Sequence, residues 1–176
     1  WYKKIIKFIS YNWYEWDNLY KVDYNIKENI VFTMSRLWTH EKNTKLFLDI
    51  AKYVIEKNSD IKFYAIWDVE QNFKNYLKDF YEKNQHIKNN IVFTWYKTWN
   101  DKIDIMKKSK IFILTSKVEW FSNVYSEAWY YWNYIVTTNV WWAYEITDNW
   151  NLWSVICQEN KKYENLDNEE RLELDK

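Results

Sequence analysis

Four short stretches of this chain combine residue types that can do chemistry. The first is Ser35-Arg36-Leu37-Trp38-Thr39-His40-Glu41-Lys42-Asn43, which separates an apolar run from a helical pattern. Arg36 offers a planar fork of hydrogen-bond donors and Lys42 a compact cation. Two cations ahead of a helix N-terminus suit a diphosphate. A solvated loop with ordinary ion pairs fits the same residues. The second is Glu119 with Glu127, eight residues further on. Such carboxylates can accept hydrogen bonds from paired sugar hydroxyls. They equally suit one acid at a helix start and one on the surface. A glycosidase pair would need both to face one scissile bond, which the spacing does not fix. The third is Ser122-Asn123-Val124, where Ser122 or Asn123 can cap a helix whose free N–H groups face an anion. The fourth is Tyr96, just past an apolar run, able to lie against a planar base or to cover the end of a sheet.

Other chemistries find no support in the spacing. His40 and His86 are 46 residues apart with no carboxylate or cysteine at ligand spacing, so no metal site is expected. No Ser/His/acid arrangement can be assembled. Cys157 is the single cysteine, which excludes an internal disulfide framework and suits a buried apolar side chain. Lysine plus arginine number 25 and aspartate plus glutamate 25, so binding of nucleic acid through bulk charge is not expected. No apolar run approaches 18 residues. Trp1–Phe8 is too short and too interrupted for a signal peptide, and a cytoplasmic setting is the expectation.

The elements that must position these groups follow from periodicity. Strands are expected at 30–34, 61–66, 91–94, 111–115, 134–138 and 152–157. Helices are expected at 43–58, 70–83, 100–108, 123–131 and 141–148. In the first helix Asn43 is the N-cap, and Leu46, Ile50 and Val54 share a face helped by Phe47 and Ala51. This alternation predicts an α/β fold, a Rossmann-like parallel sheet with helices on both faces. Ligands in such sheets sit beyond the carboxyl ends of the strands. All four stretches fall there. The expected organisation is an irregular segment with a short strand over 1–29, the Rossmann-like unit over 30–157, and a polar tail over 158–176.

The 176 residues include no glycine and no proline, but 14 Trp and 16 Tyr. An average domain of this length would hold roughly 12 Gly and 9 Pro. Turns that need positive φ therefore lack their usual residue.

Taken together, the segments resemble the carboxyl-terminal, nucleotide-binding domain of a GT-B glycosyltransferase, in particular glycosyltransferase family 4. That family carries Arg-Leu-x-x-x-Glu-Lys-Gly/Asn after its first domain strand, matched here by Arg36 to Asn43. It also carries Glu-Gly-Phe-x-x-x-x-x-Glu-Ala, matched by Glu119-Trp120-Phe121 through Glu127-Ala128. A following Gly-x-Pro-Val-Val-x-x-x-x-Gly-Gly-x-Pro-Glu is matched from Trp132 to Glu145. The departures are systematic. Trp67, Trp95, Trp120, Trp132, Trp141 and Trp142 stand at family glycines, and Tyr11, Tyr134 and Tyr144 at family prolines. At Trp120 and Trp141 an indole fills space where the family's backbone approaches sugar and pyrophosphate.

The resemblance implies that Arg36 and Lys42 bind the diphosphate of a UDP- or GDP-sugar donor. It implies that Glu119 bonds the transferred sugar, Glu127 holds the ribose, and Tyr96 lies near the base. Backbone N–H groups at Ser122, Asn123 and Val124 would meet phosphate or sugar. It further implies a retaining transfer to a glycan or lipid-linked acceptor without a bound metal. The acceptor site would come from a separate amino-terminal domain, so this chain alone is expected to transfer little. Peripheral contact with the inner face of a membrane is implied for the full enzyme. A non-catalytic nucleotide or sugar-phosphate binding module is the alternative.

Overall fold

Short apolar runs joined by amphipathic ones fold as successive β/α repeats in the computed structural model. It describes residues 23–66, 71–94, 99–119, 122–140, 143 and 154–156, the side chains at 71 and 99 excepted. The strands are β1 (Glu28–Met34), β2 (Lys62–Ile66), β3 (Ile91–Thr94), β4 (Ser109–Leu114), β5 (Tyr134–Thr138) and β6 (Ser154–Ile156). The helices are α1 (Thr44–Lys57), α2 (Gln71–Lys83), α3 (Trp99–Lys108) and α4 (Asn123–Tyr130). Tyr96, Trp120, Trp141, Cys157, residues 1–22, the helix expected at 141–148 apart from residue 143, and the tail from 158 lie outside the described residues.

All strand pairs are parallel, in the order β3-β2-β1-β4-β5-β6. The chain winds outward from β1 in one direction and from β4 in the other. The connections therefore diverge between β1 and β4, which is where such sheets open a crevice at their carboxyl ends. Val31 pairs with Ile111 and Phe32 with Phe112, so the two central strands end level with each other.

Alternation along each strand sends side chains to two cores. On one face Val31, Phe63, Ala65 and Ile113 pack with Phe47, Leu48, Ala51 and Ile55 of α1 and Phe73, Leu77 and Phe80 of α2. On the other, Phe32, Met34, Ile66, Phe112 and Leu114 pack with Met106 of α3 and Tyr125 and Ala128 of α4. Phe32 and Phe112 are completely buried, with ring centroids 5.1 Å apart. Burial of side chains this size contributes about 2 to 3 kcal/mol each.

Two details differ from the sequence expectation. The buried face of α1 includes the expected Phe47 and Ala51 but is completed by Leu48 and Ile55, while Leu46, Ile50 and Val54 are only partly buried, the last two packing against the same core. Both sets have helical spacing, and the bulkier Phe47 takes the centre by meeting Phe63 edge-on at 5.7 Å. Asn43 does precede α1, yet its side chain makes no capping bond, because the residue is left-handed at φ 46° and ψ 48°.

At the amino-terminal end of the sheet, buried Lys27 donates to three carbonyls. Its Nζ reaches Ser109 O and Tyr131 O at 2.7 Å each and Met106 O at 3.3 Å. Three ammonium hydrogens thus meet three acceptors. Two of those carbonyls belong to the ends of α3 and α4, where helix dipoles present negative charge. Asn133 Nδ2 shares Met106 O and Ser109 O, at 2.9 and 2.6 Å. Burial draws the Lys27 ammonium down to about 8.

The end of α4 explains the neighbouring Trp132. Asn133 N donates to Ala128 O at 2.9 Å and Trp132 N to Trp129 O at 2.8 Å. This is the Schellman pattern, whose C′ residue must be left-handed and is usually glycine. Trp132 occupies it at φ 55°. The residue aligned with a family glycine therefore stands at a glycine conformation.

Candidate functional site

Two loops meet over the crevice between β1 and β4, one running from Ser35 to Asn43 and the other from Thr115 to Glu119. Thr115 Oγ1 donates to Lys42 O at 3.1 Å and Asn43 O at 3.3 Å. Lys117 N donates to Glu41 O at 2.6 Å. Thr138 Oγ1, at the end of β5, donates to Ser116 O. The loops are thus stitched through backbone carbonyls, which fixes their spacing whatever the exposed side chains do.

Within this frame Lys42 Nζ forms an ion pair with Glu119 Oε1. Ser116 Oγ donates to the same oxygen at 2.8 Å. The two side chains are only 17% and 9% exposed, so their charges are largely withdrawn from water. Lys117 Nζ lies 2.9 Å from His40 Nε2 at the exposed rim. Arg36 is exposed in the loop after β1, beside buried Leu37.

Glu127 occupies a half-buried position on α4. Its Oε2 is buried and accepts no hydrogen bond. Burial pushes its carboxyl up to about 7, against the pull of Lys102 on α3. A carboxylate of this kind is short of donors, and vicinal hydroxyls would supply them. Ser122 takes the N-cap position of α4, but its side chain makes no capping bond; Asn123 is exposed and Val124 half-buried in the first turn. Tyr125 is completely buried, and its hydroxyl meets Thr137 Oγ1 at 2.5 Å. Burial raises this phenol well above its ordinary range.

The fold therefore joins Lys42 to Glu119, sets Arg36 on the same loop, and carries Ser122, Asn123, Val124 and Glu127 on the element that follows. Among the described residues, no hydrogen bond or ion pair links Glu127 to Arg36, Lys42 or Glu119. Three residues escaped the sequence analysis: Thr115, Ser116 and Lys117, which make or anchor the cross-loop contacts. Their signal is a polar triplet ending the apolar run of β4. Among the described residues no group of three or more His, Cys, Asp or Glu could hold a metal ion. No helix among them is long and apolar enough to cross a membrane.

A six-stranded parallel sheet in this order, with the Lys42–Glu119 ion pair at its switch point, defines a Rossmann-like α/β domain of the kind found in GT-B glycosyltransferases. The solved structures agree. TarM of S. aureus, a mutant in complex with Fondaparinux, alpha-GlcNAc-glycerol and UDP, superposes with a TM-score of 0.66 at 18% identity, over 81% of this chain and 28% of that one. HepE of Anabaena, in complex with UDP-glucose, superposes with a TM-score of 0.63 at 18% identity, over 81% of this chain and 42% of that one. Residues 17–169 match the family described as glycosyl transferases group 1, and the chain belongs to that family. A curated relative is the UDP-Gal:alpha-D-GlcNAc-diphosphoundecaprenol alpha-1,3-galactosyltransferase of Escherichia coli, 36% identical over 93 residues, or 51% of this chain and 23% of that protein. The chain spans about a quarter of that relative and less than half of either solved structure.

Proposed function

We propose that this chain is the half of a retaining glycosyltransferase that binds the sugar donor, a nucleotide-diphosphate sugar, with residues 30–157 as the binding unit. The observation that carries this reading is the stitched pair of loops at the switch point, with Lys42 and Glu119 in contact and Arg36 exposed on the loop that carries Lys42. Arg36 and Lys42 supply positive potential for the diphosphate, which is also the leaving group. Charge that develops there during transfer is what preorganised cations stabilise. Glu119 accepts hydrogen bonds from the transferred sugar. Glu127, lacking donors on Oε2, accepts from the ribose. N–H groups at Ser122, Asn123 and Val124 meet phosphate or sugar, and Tyr96 lies near the base. The glycosyltransferases it resembles support a sugar-nucleotide substrate, since TarM and HepE were crystallised with UDP and UDP-glucose.

The acceptor, a glycan or a lipid-linked sugar, is held by a second domain in this reading. Transfer by residues 1–176 alone is therefore negligible, and donor binding is weak. The complete enzyme works in the cytoplasm, with peripheral contact to the inner face of a membrane. Calorimetric titration with UDP-glucose and a GDP-sugar tests the proposal. Saturable binding of one of them, reduced at least tenfold in Lys42→Met, is the expected result. A folded chain that binds neither would sink the proposal, and robust transfer without a second domain would overturn its acceptor half.

A further inference from the structure

The Lys42–Glu119 pair joins a group assigned above to the diphosphate with one assigned to the sugar. We infer that this ion pair makes recognition of the two halves of the donor conditional on each other, so that the site favours the intact nucleotide sugar over the free nucleoside diphosphate. The inference rests on the donor-site reading above.

The argument starts from burial. Glu119 is 9% exposed and Lys42 17%, and Glu119 Oε1 accepts from both Lys42 Nζ and Ser116 Oγ. A diphosphate that binds Lys42 competes with Glu119 for the ammonium. If it succeeds, Glu119 retains Ser116 Oγ as its donor and loses its counter-charge, which is costly where water is scarce. Lys42 cannot simply swing aside with its loop, because Thr115 Oγ1 holds the Lys42 carbonyl. The new anion must therefore share space with Glu119 or push against it.

A nucleotide sugar carries the remedy. Its hydroxyls donate to Glu119 and replace what Lys42 withdraws. A nucleoside diphosphate lacks the transferred sugar, its ribose hydroxyls being assigned to Glu127, while its terminal phosphate adds negative charge facing Glu119. Bulk electrostatics predicts the opposite preference, since the free diphosphate is the more strongly charged ligand for Arg36 and Lys42. The consequence for a catalytic cycle is directional. Once the sugar has been transferred, its hydroxyls leave Glu119, Lys42 returns to its carboxylate, and the nucleoside diphosphate is released.

The test measures Kd for UDP and for UDP-glucose by calorimetry on the wild-type chain, Glu119→Gln and Lys42→Met. The wild type is expected to bind UDP-glucose more tightly than UDP. Glu119→Gln is expected to tighten UDP by about tenfold and to weaken UDP-glucose, inverting the order. In the Lys42→Met background the Glu119→Gln change should tighten UDP by clearly less, since only the repulsion between carboxylate and phosphate is then relieved. Binding by the wild type with unchanged or weaker UDP affinity in a folded Glu119→Gln overturns the inference and leaves the donor-site reading standing. If the wild type binds GDP and a GDP-sugar in place of the uridine pair, the same comparison is made with them, and binding of none of the four overturns both. Should Glu119→Gln fail to fold, the wild type still decides, because UDP binding as tight as UDP-glucose contradicts the coupling.

Discussion

Two lysines at opposite ends of one sheet have been given opposite tasks. Lys27, beneath the amino-terminal ends of the strands, faces only backbone carbonyls, and each of its hydrogens has an acceptor. Lys42, above the carboxyl-terminal ends, faces a side-chain carboxylate, which in the proposed site a ligand anion would replace. The first arrangement is closed: main-chain acceptors cannot leave without unwinding α3 or α4. The second is open to substitution, because both partners are side chains on loops. A buried charge is thus structural where its partners are fixed and available for function where they are replaceable.

That contrast can be broken experimentally, and the largest effect is expected at the closed end. Lys27→Met removes the donor shared by three buried carbonyls and should cost about 3 kcal/mol, read as a lower midpoint in urea unfolding. Lys42→Met should cost about 1 kcal/mol of stability, since Ser116 still donates to Glu119, while sugar-donor affinity falls at least tenfold. If both substitutions destabilised equally and neither touched binding, the division would be false.

Smaller effects sharpen it. Trp132→Gly relieves a left-handed tryptophan that is 56% exposed and has little packing to lose, so the chain should gain about 1 kcal/mol, measured by thermal unfolding. The smallest concerns Glu127. Its carboxyl is raised from 4.5 to about 7, so the folded state holds this proton more tightly than the unfolded one. Its contribution to stability is present at low pH and lost as pH rises through about 7. In the proposed site, hydroxyls of a bound ribose would donate to the ionised form. Affinity for a nucleotide sugar, whose diphosphate stays ionised throughout, should therefore improve about threefold between roughly pH 6.5 and 7.5. Glu127→Gln should flatten that dependence; an unaltered slope would assign it to another group.

The sheet was legible because β-branched and aromatic runs such as Ile30–Met34 and Ile111–Thr115 are short, apolar and evenly spaced between helical patterns. Right-handed crossovers lead from that alternation to a parallel sheet, while the order β3-β2-β1-β4-β5-β6 is read from the structure alone. The charged residues proposed for the site are legible for a similar reason: Arg36, Lys42 and Glu119 lie in the polar connections that follow the apolar runs of β1 and β4. What local pattern hides is contact across distance. Lys27 looks like a solvated lysine ahead of a strand, and its partners lie 79 to 104 residues away. On α1 the spacing identifies Phe47 and Ala51 but not Leu48 and Ile55, because two adjacent stripes are both apolar and the packing of Phe47 on Phe63 selects between them. The left-handed state of Trp132 was visible only through the glycine that the family motif keeps there, since nothing about an indole announces positive φ.

The threonine and amide contacts that join the loops at Lys42 and Lys117 carry a kinetic meaning as well. Since Thr115 and Lys117 bind the main chain of the facing loop, residues 40–43 and 115–119 form one plate whose shape does not wait for a ligand. Ordering entropy on that side has already been spent during folding. A second domain closing over such a plate would meet a finished surface, and any slow step of closure would belong to the hinge between domains and not to these loops.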